Sequence, residues 1–304
     1  MDFSIMWTTQ GTMFLMVIIG IILRKKGVLT ENSKGVLTEL VLNLILPCSI
    51  INSFNIDFNM GILKIFGTIM VIGIIAQVLC YLICRFAFDR FEIRQRKVLK
   101  YGTLVSNSAF LGNPIAESTF GATGLMYSSI FCIPTRIVMW SAGLAQFTDE
   151  TDKKAAFKKV VFHPCMIAVY VGISLMITGL KPPTFVYNTI VSIGRCTTPL
   201  TMLLIGSMIA EVKDLKTMIN KDILYFTVIR IIVIPGLVYL GCRLAGVDPI
   251  ITGVSVLLSG MPAGSTTAIM AAKYDGDYIF ATKLVVFSTI MTLISIPIWC
   301  LILA

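Results

Sequence analysis

The chain has 304 residues, of which 56% are hydrophobic and 13% charged, with a mean hydropathy of +0.88 and a formal net charge of +9. Soluble domains carry about a quarter charged residues, so this composition excludes an ordinary soluble enzyme and points to a polytopic membrane protein. The positive charge raises nucleic acid as a partner, but its distribution along the chain argues against that.

A bilayer core about 30 Å thick takes about 20 apolar residues per helix. Stretches of this kind run over 6–23, 36–54, 61–84, 98–119, 121–145, 160–179, 185–210, 222–243, 250–272 and 279–302. They predict an all-α fold of ten transmembrane helices in a single membrane domain, 1–304. Of the 25 Lys and Arg, 19 lie beside the odd-numbered loops, including "RFAFDRFEIRQRK" (85–97) and "TDETDKKAAFKK" (148–159). The positive-inside rule therefore puts those loops in the cytoplasm and both termini on the extracytoplasmic side. The basic residues then face anionic lipid headgroups, and membrane lipid rather than nucleic acid accounts for the charge. Short loops and the absence of organelle signals place the protein in a cell (plasma or inner) membrane. The first span opens with Asp2 and is followed by no A-x-A site, so no cleaved signal peptide is expected.

Taken in chain order, the first irregular feature is Pro47 in "NLILPCSI" of the second span. Gln77 lies in the third. The fourth holds "SNSAFLGNPIAESTFG" (106–121), polar and rich in helix breakers inside an apolar frame. Pro114 removes a backbone donor and clashes with a carbonyl one turn earlier, while Gly112 is permissive and Asn113 is pushed from helical angles by the following proline. Two half-helices meeting near 111–114 are predicted. The fifth span carries Pro134 and, near its middle, Arg136. His163, beside Pro164 at the start of the sixth, reads as an interface residue rather than a proton relay. Pro199 in "RCTTPLTM" of the seventh answers Pro47, and Arg195 lies near that span's outer end. Arg230 is about eight residues inside the eighth. The ninth span, "SGMPAGSTTA", repeats the break with Gly260, Pro262 and Gly264, followed by Ser265, Thr266 and Thr267. "YDGDY" after it, with Asp275 and Asp277, reads as a solvated loop. Trp7, Trp140 and Trp299 fall near span ends as aromatic-belt anchors.

The matched prolines divide the chain into a first five-helix repeat, 1–147, and a second, 158–304. An odd number of spans per half inverts one against the other, the plan of secondary transporters. Irregular backbone inside a bilayer survives only within protein or beside water. Two breaks at the midplane therefore predict a binding site, with Asn107, Ser108 and Asn113 from one and Gly264, Ser265, Thr266 and Thr267 from the other. Half-helix N-termini favour anions. A buried arginine costs about 2.5–3.5 kcal/mol on insertion scales and faces a cavity or a partner. Arg136 and Arg230 thus bias the interior toward an anion, unless they pair with carbonyls. The eight cysteines lack metal-ligand spacing and read as buried thiols. No metal site or cofactor is expected, and no HExxH, GxSxG or acidic dyad on separate spans marks an enzyme. The absence of a carboxylate cage favours proton coupling or uniport over Na+ symport. An anion channel or a non-transporting sensor stays open as an alternative.

"NSAFLGNP" (107–114), "GMPAGSTTAIMAAKYDGD" (260–277) and "FSTIMTLISIPIW" (287–299) resemble the auxin efflux carrier family in order and spacing along the whole chain. The resemblance implies a scaffold from spans 1, 2, 6 and 7, through which a homodimer can form. It implies a moving domain from spans 3–5 and 8–10, with the substrate site at a crossover of spans 4 and 9. It implies transport of organic anions, auxin in plants and malonate or malate in bacteria, by an elevator-like movement, with Asn107 at the position that contacts the substrate carboxylate. Asn113 and Thr267 depart from the family pattern, so the identity of the substrate does not carry over.

Overall fold

A computed structural model describes residues 3–55, 60–147, 158, 161–210, 220–274 and 276–303, and among them there is no β-strand beyond one isolated bridge. The polar stretch 148–159, apart from Lys158, lies outside the described residues, as do Asp2 and Asp275. The chain runs α1 (Phe3–Lys25), α2 (Glu31–Leu40), α3 (Leu46–Ser53), α4 (Met60–Ala87), α5 (Ile93–Leu104), α6 (Asn113–Val138) and α7 (Pro164–Thr178). It continues with α8 (Thr184–Gly194), α9 (Thr197–Ala210), α10 (Lys221–Val228), α11 (Ile234–Leu244), α12 (Pro249–Ser259), α13 (Thr266–Lys273) and α14 (Tyr278–Leu303). Helical stretches that run on through π-turns and short interruptions give six segments long and apolar enough to cross a membrane among the described residues, with α7 and α12 as shorter apolar helices. Leu15, Ile18, Ile19 and Ile22 of α1 and Ile74, Ile75, Val78 and Leu82 of α4 are exposed. Apolar bands of this extent are shed by water-soluble surfaces and suit a lipid environment.

Local chemistry sets the ends of the helices. Thr30 and Ser33 exchange side-chain and backbone hydrogen bonds in a capping box before α2. Asp248 Oδ1 accepts from Ile250 N and Ile251 N at 2.9 and 3.2 Å, with Pro249 opening α12. Asn220 caps α10 through Asp222 N. Such caps satisfy the donors a helix start leaves free. In the turn before α5, Lys100 Nζ lies 2.9 Å from Asp89, and this hydrogen bond and charge hold the Asp89 carboxyl below its usual range. Arg90 lies over the rings of Phe91 and Tyr225, tying the same turn to α10.

Proline shapes the interior of the spans. Three π-turns, Val41–Ile45, Ser108–Gly112 and Ile229–Val233, each end two residues before a proline, Pro47, Pro114 and Pro235 respectively. A proline cannot donate to the carbonyl four residues back and crowds it, so the preceding turn widens. One carbonyl freed in this way, that of Ile231, accepts Trp299 Nε1 at 2.9 Å. Trp299 is thus bonded inside the bundle rather than free to serve as a headgroup anchor. Seven of the eight cysteines are buried; Cys196 is exposed, in the short interruption between α8 and α9 that also exposes Arg195.

The tightest helix contact joins α1 and α9. A Cβ on Gly20 would strike the carbonyl of Leu203, and one on Gly206 the carbonyl of Val17, so the two backbones touch. Small residues permit this approach between membrane helices. At Gly121, φ of 67° and ψ of −158° break α6 into two arms. Ser128 Oγ from the second arm reaches Asn113 Oδ1 in the first at 2.9 Å, so the arms run back along each other. The sequence puts a loop between spans at this place. Gly206→Leu is expected to force α1 from α9 and cost about 1–3 kcal/mol or more by overpacking. Thermal unfolding in detergent checks this, and an unchanged Tm would contradict the close contact.

Candidate functional site

The two polar interruptions meet. Helix α5 stops at Leu104 and α12 at Ser259, and the chain beyond each is non-helical. Ser106 and Ala263 pair as an antiparallel bridge, with Asn107 N donating to Pro262 O at 2.8 Å and Gly264 N to Val105 O at 2.9 Å. Each segment supplies what the other's helix cannot. Ala263 N finds a further acceptor in Ser288 Oγ at 3.4 Å.

The first interruption thus lies at 105–107 rather than near 111–114. Gly112 closes the π-turn and lies against Leu258 of α12, and Pro114 sits in the first turn of α6. The π-turn absorbs the missing donor of Pro114, so the helix is widened there and not broken. In the other interruption, Gly260 and Pro262 lie within the non-helical segment itself.

Beyond the bridge, helix begins again at Ser108 on one side and Thr266 on the other. The first N–H groups of a helix have no intrahelical acceptor and carry partial positive charge. Both starts border a cavity of about 120 Å³ lined by Ser106 to Phe110, Gly264 to Thr266, Cys132, Thr135, Arg136, Met139, His163 and Leu42. Tyr101 OH, from α5, bonds Thr266 Oγ1 at 3.2 Å and fixes that hydroxyl at the helix start. Gln77 Nε2 donates to Thr135 Oγ1 at 2.8 Å behind the cavity wall.

Arg136 dominates the electrostatics of this space. It is 8% exposed, and its only hydrogen-bond partner among the described residues is His163 Nδ1, 3.4 Å from Nη1. A guanidinium has five N–H donors, so most of them face the cavity without a protein acceptor. No carboxylate side chain lines the cavity among the described residues.

Asn107, Ser108, Gly264, Ser265, Thr266 and Arg136 are therefore brought together, while Asn113, Thr267 and Arg230 do not line the cavity. Asn113 is fully buried, its Oδ1 accepting from Ser128 and, more weakly, from Cys132 Sγ at 3.7 Å. Thr267 is fully buried as well. Arg230, 2% exposed, donates from Nε to Met261 O at 2.8 Å and from Nη1 to Thr103 O at 3.3 Å. Those carbonyls lie at the C-terminal ends of α5 and α12, where partial negative charge collects. Arg230 clasps the entering halves, the carbonyl pairing open to it in the sequence, and Arg136 faces the exiting ones. Sequence reasoning weighed His163 as a proton relay but preferred an interface role, and it did not single out Thr135 or Tyr101; a lone histidine at a span end gives no periodic signal of which way its ring turns.

Helices that suit a lipid environment, two of them interrupted beside a small cavity, are those of a multi-pass membrane protein, and the comparison with known proteins gives its class as membrane transport. The model of the membrane transport protein family matches residues 11–300, and the chain belongs to that family, the auxin efflux carriers its motifs resemble. It is 25% identical over 308 residues to an uncharacterized transporter of Methanothermobacter thermautotrophicus, covering 97% of each chain. It is 24% identical over 299 residues to an uncharacterized transporter of Methanocaldococcus jannaschii, covering 94% of each.

Replacing Arg230 by Met leaves the carbonyls of Thr103 and Met261 without this donor. A buried polar group without a partner costs about 1–3 kcal/mol, so Arg230→Met should lower the Tm in detergent clearly more than Arg136→Met does. Equal effects would argue against the clasp.

Proposed function

We propose that the protein is a secondary carrier for a small organic anion, a carboxylate, held where the two interrupted helices cross. Arg136 carries this reading: a buried guanidinium with most of its donors free, at a cavity bordered by two helix starts. Burying an unpaired charge is costly, and an anion that enters offsets the cost. The two sets of exposed N–H groups and the Asn107 amide then supply hydrogen bonds to carboxylate oxygens, as helix starts do for anions generally. The cavity volume of about 120 Å³ suits an acid of a few carbons rather than a drug-sized ligand.

In this reading the chain has ten spans in two inverted five-helix repeats, 1–147 and 158–304, with both termini on the extracytoplasmic side of the cell membrane. Spans 3–5 and 8–10 move as one body against a scaffold of spans 1, 2, 6 and 7, which also offers the surface for a homodimer. The backbone bridge between Ser106 and Ala263 supports the moving body, since it ties spans 4 and 9 together. Arg136 and His163 meet across the supposed boundary, one from span 5 and the other from the start of span 6. Paired interruptions beside a cavity of about 120 Å³ favour a carrier over a channel, which needs a continuous pore.

A thermal-shift screen of mono- and dicarboxylates should find a stabilising anion, and Asn107→Ala should reduce its effect; full stabilisation of the variant would remove Asn107 from the site. Losing a charge-assisted hydrogen bond costs about 1.5–3 kcal/mol, so Arg136→Gln should weaken the anion about 10- to 100-fold. In proteoliposomes preloaded with that anion, counterflow exchange is expected. Flux without exchange would favour a channel, and binding without flux a sensor.

A further inference from the structure

We infer that His163 is a proton-binding residue of the anion site, taking up a proton when the anion enters and releasing it when the anion leaves. The inference rests on the anion reading and adds to it the coupling chemistry and the residue that performs it.

The geometry fixes the empty state. His163 Nδ1 is 3.3 Å from Cys165 N, whose N–H it accepts as the cap of α7, and 3.4 Å from Arg136 Nη1, another donor. An imidazole nitrogen receiving two N–H groups carries no proton of its own. Against Nδ1 lie Arg136 and the Cys165 N–H, and the cavity that His163 lines is bordered by Cys132, Ser265, Thr266 and two helix starts. All of these are positive or neutral, and no carboxylate side chain among the described residues is present to stabilise an imidazolium. The empty cavity thus holds one cation, Arg136, and a neutral His163.

A carboxylate between Arg136 and His163 reverses this balance. It supplies an acceptor for Arg136, which no longer needs Nδ1, and a negative charge beside the ring, which favours the protonated form. The proton comes from bulk water to Nδ1 and bonds a carboxylate oxygen. Protonation also ends the acceptance from Cys165 N, so α7 loses its cap whenever the site is filled. Because occupancy favours the proton, the proton favours occupancy by the same factor. Because His163 opens span 6 of the scaffold, its proton passes to the carboxylate oxygen it bonds when the moving body departs, the imidazole returns to its neutral form, and a monocarboxylate crosses as the neutral acid.

His163 is the single histidine of the chain, so its protonation state is directly assignable. The test uses the purified full chain with acetate and malonate as probes. In 13C-histidine NMR, the titration of the one signal should shift to higher pH on adding the probe that binds. Calorimetry in buffers of different ionisation enthalpy should show proton uptake on binding, with affinity rising as pH falls. His163→Asn keeps an oxygen to cap α7 but cannot carry the proton. It should bind the probe more weakly, with an affinity that no longer rises as pH falls, and should lose both the proton uptake and the uptake driven by a pH gradient. Binding by the wild type with no shift of the histidine signal, or undiminished proton uptake in His163→Asn, would overturn the inference. If neither probe binds the wild type, the anion site itself is overturned, and the proton site with it.

Discussion

Everything at the centre of this molecule depends on two backbone hydrogen bonds. An interrupted helix inside a lipid-facing bundle leaves N–H and C=O groups that water cannot reach, at a cost of several kcal/mol for each unsatisfied group. Here two interruptions lie antiparallel, and Asn107 N to Pro262 O and Gly264 N to Val105 O satisfy one with the other. The arrangement is mutual: neither break is sustainable without its partner. It also sorts the helix ends. The C-terminal ends of α5 and α12 collect on Arg230, and the starts at Ser108 and Thr266 open on the cavity.

The two buried arginines show how position decides role. Both lie close to a proline, and both are almost completely buried. Arg230 sits in the π-turn that Pro235 imposes and meets carbonyls, so its charge is consumed in holding the backbone. Arg136 meets only a neutral imidazole nitrogen, and its charge remains available. Removing Arg230 would leave carbonyls orphaned, whereas removing Arg136 would leave a cavity with less reason to hold an anion.

Much of this was legible in the sequence. Hydropathy and the density of Gly and Pro located the second interruption and marked the fourth span as the site of the first, and the family motifs agreed. The residues that converge, Asn107, Ser108, Gly264, Ser265, Thr266 and Arg136, were selected because polar groups in an apolar frame need a destination. Three things were not legible. Helix-breaking residues do not say where the break falls, because a π-turn can absorb Pro114 and move the interruption to 105–107. The division of labour between Arg136 and Arg230 depends on which neighbours each meets, which is tertiary information. His163 was read as an interface residue because its direction is set by the cap of α7, through Cys165 N, and no periodic pattern encodes that.

The central claim is that an anion is held between Arg136 and the two helix starts. A density map of the purified protein at a saturating concentration of the carboxylate that stabilises it most would test this directly. The account predicts new density between the Arg136 guanidinium and the N–H groups at Ala109 and Thr266, within hydrogen-bonding distance of the Asn107 amide. Ordered density for that ligand elsewhere, with this cavity unchanged, would contradict it.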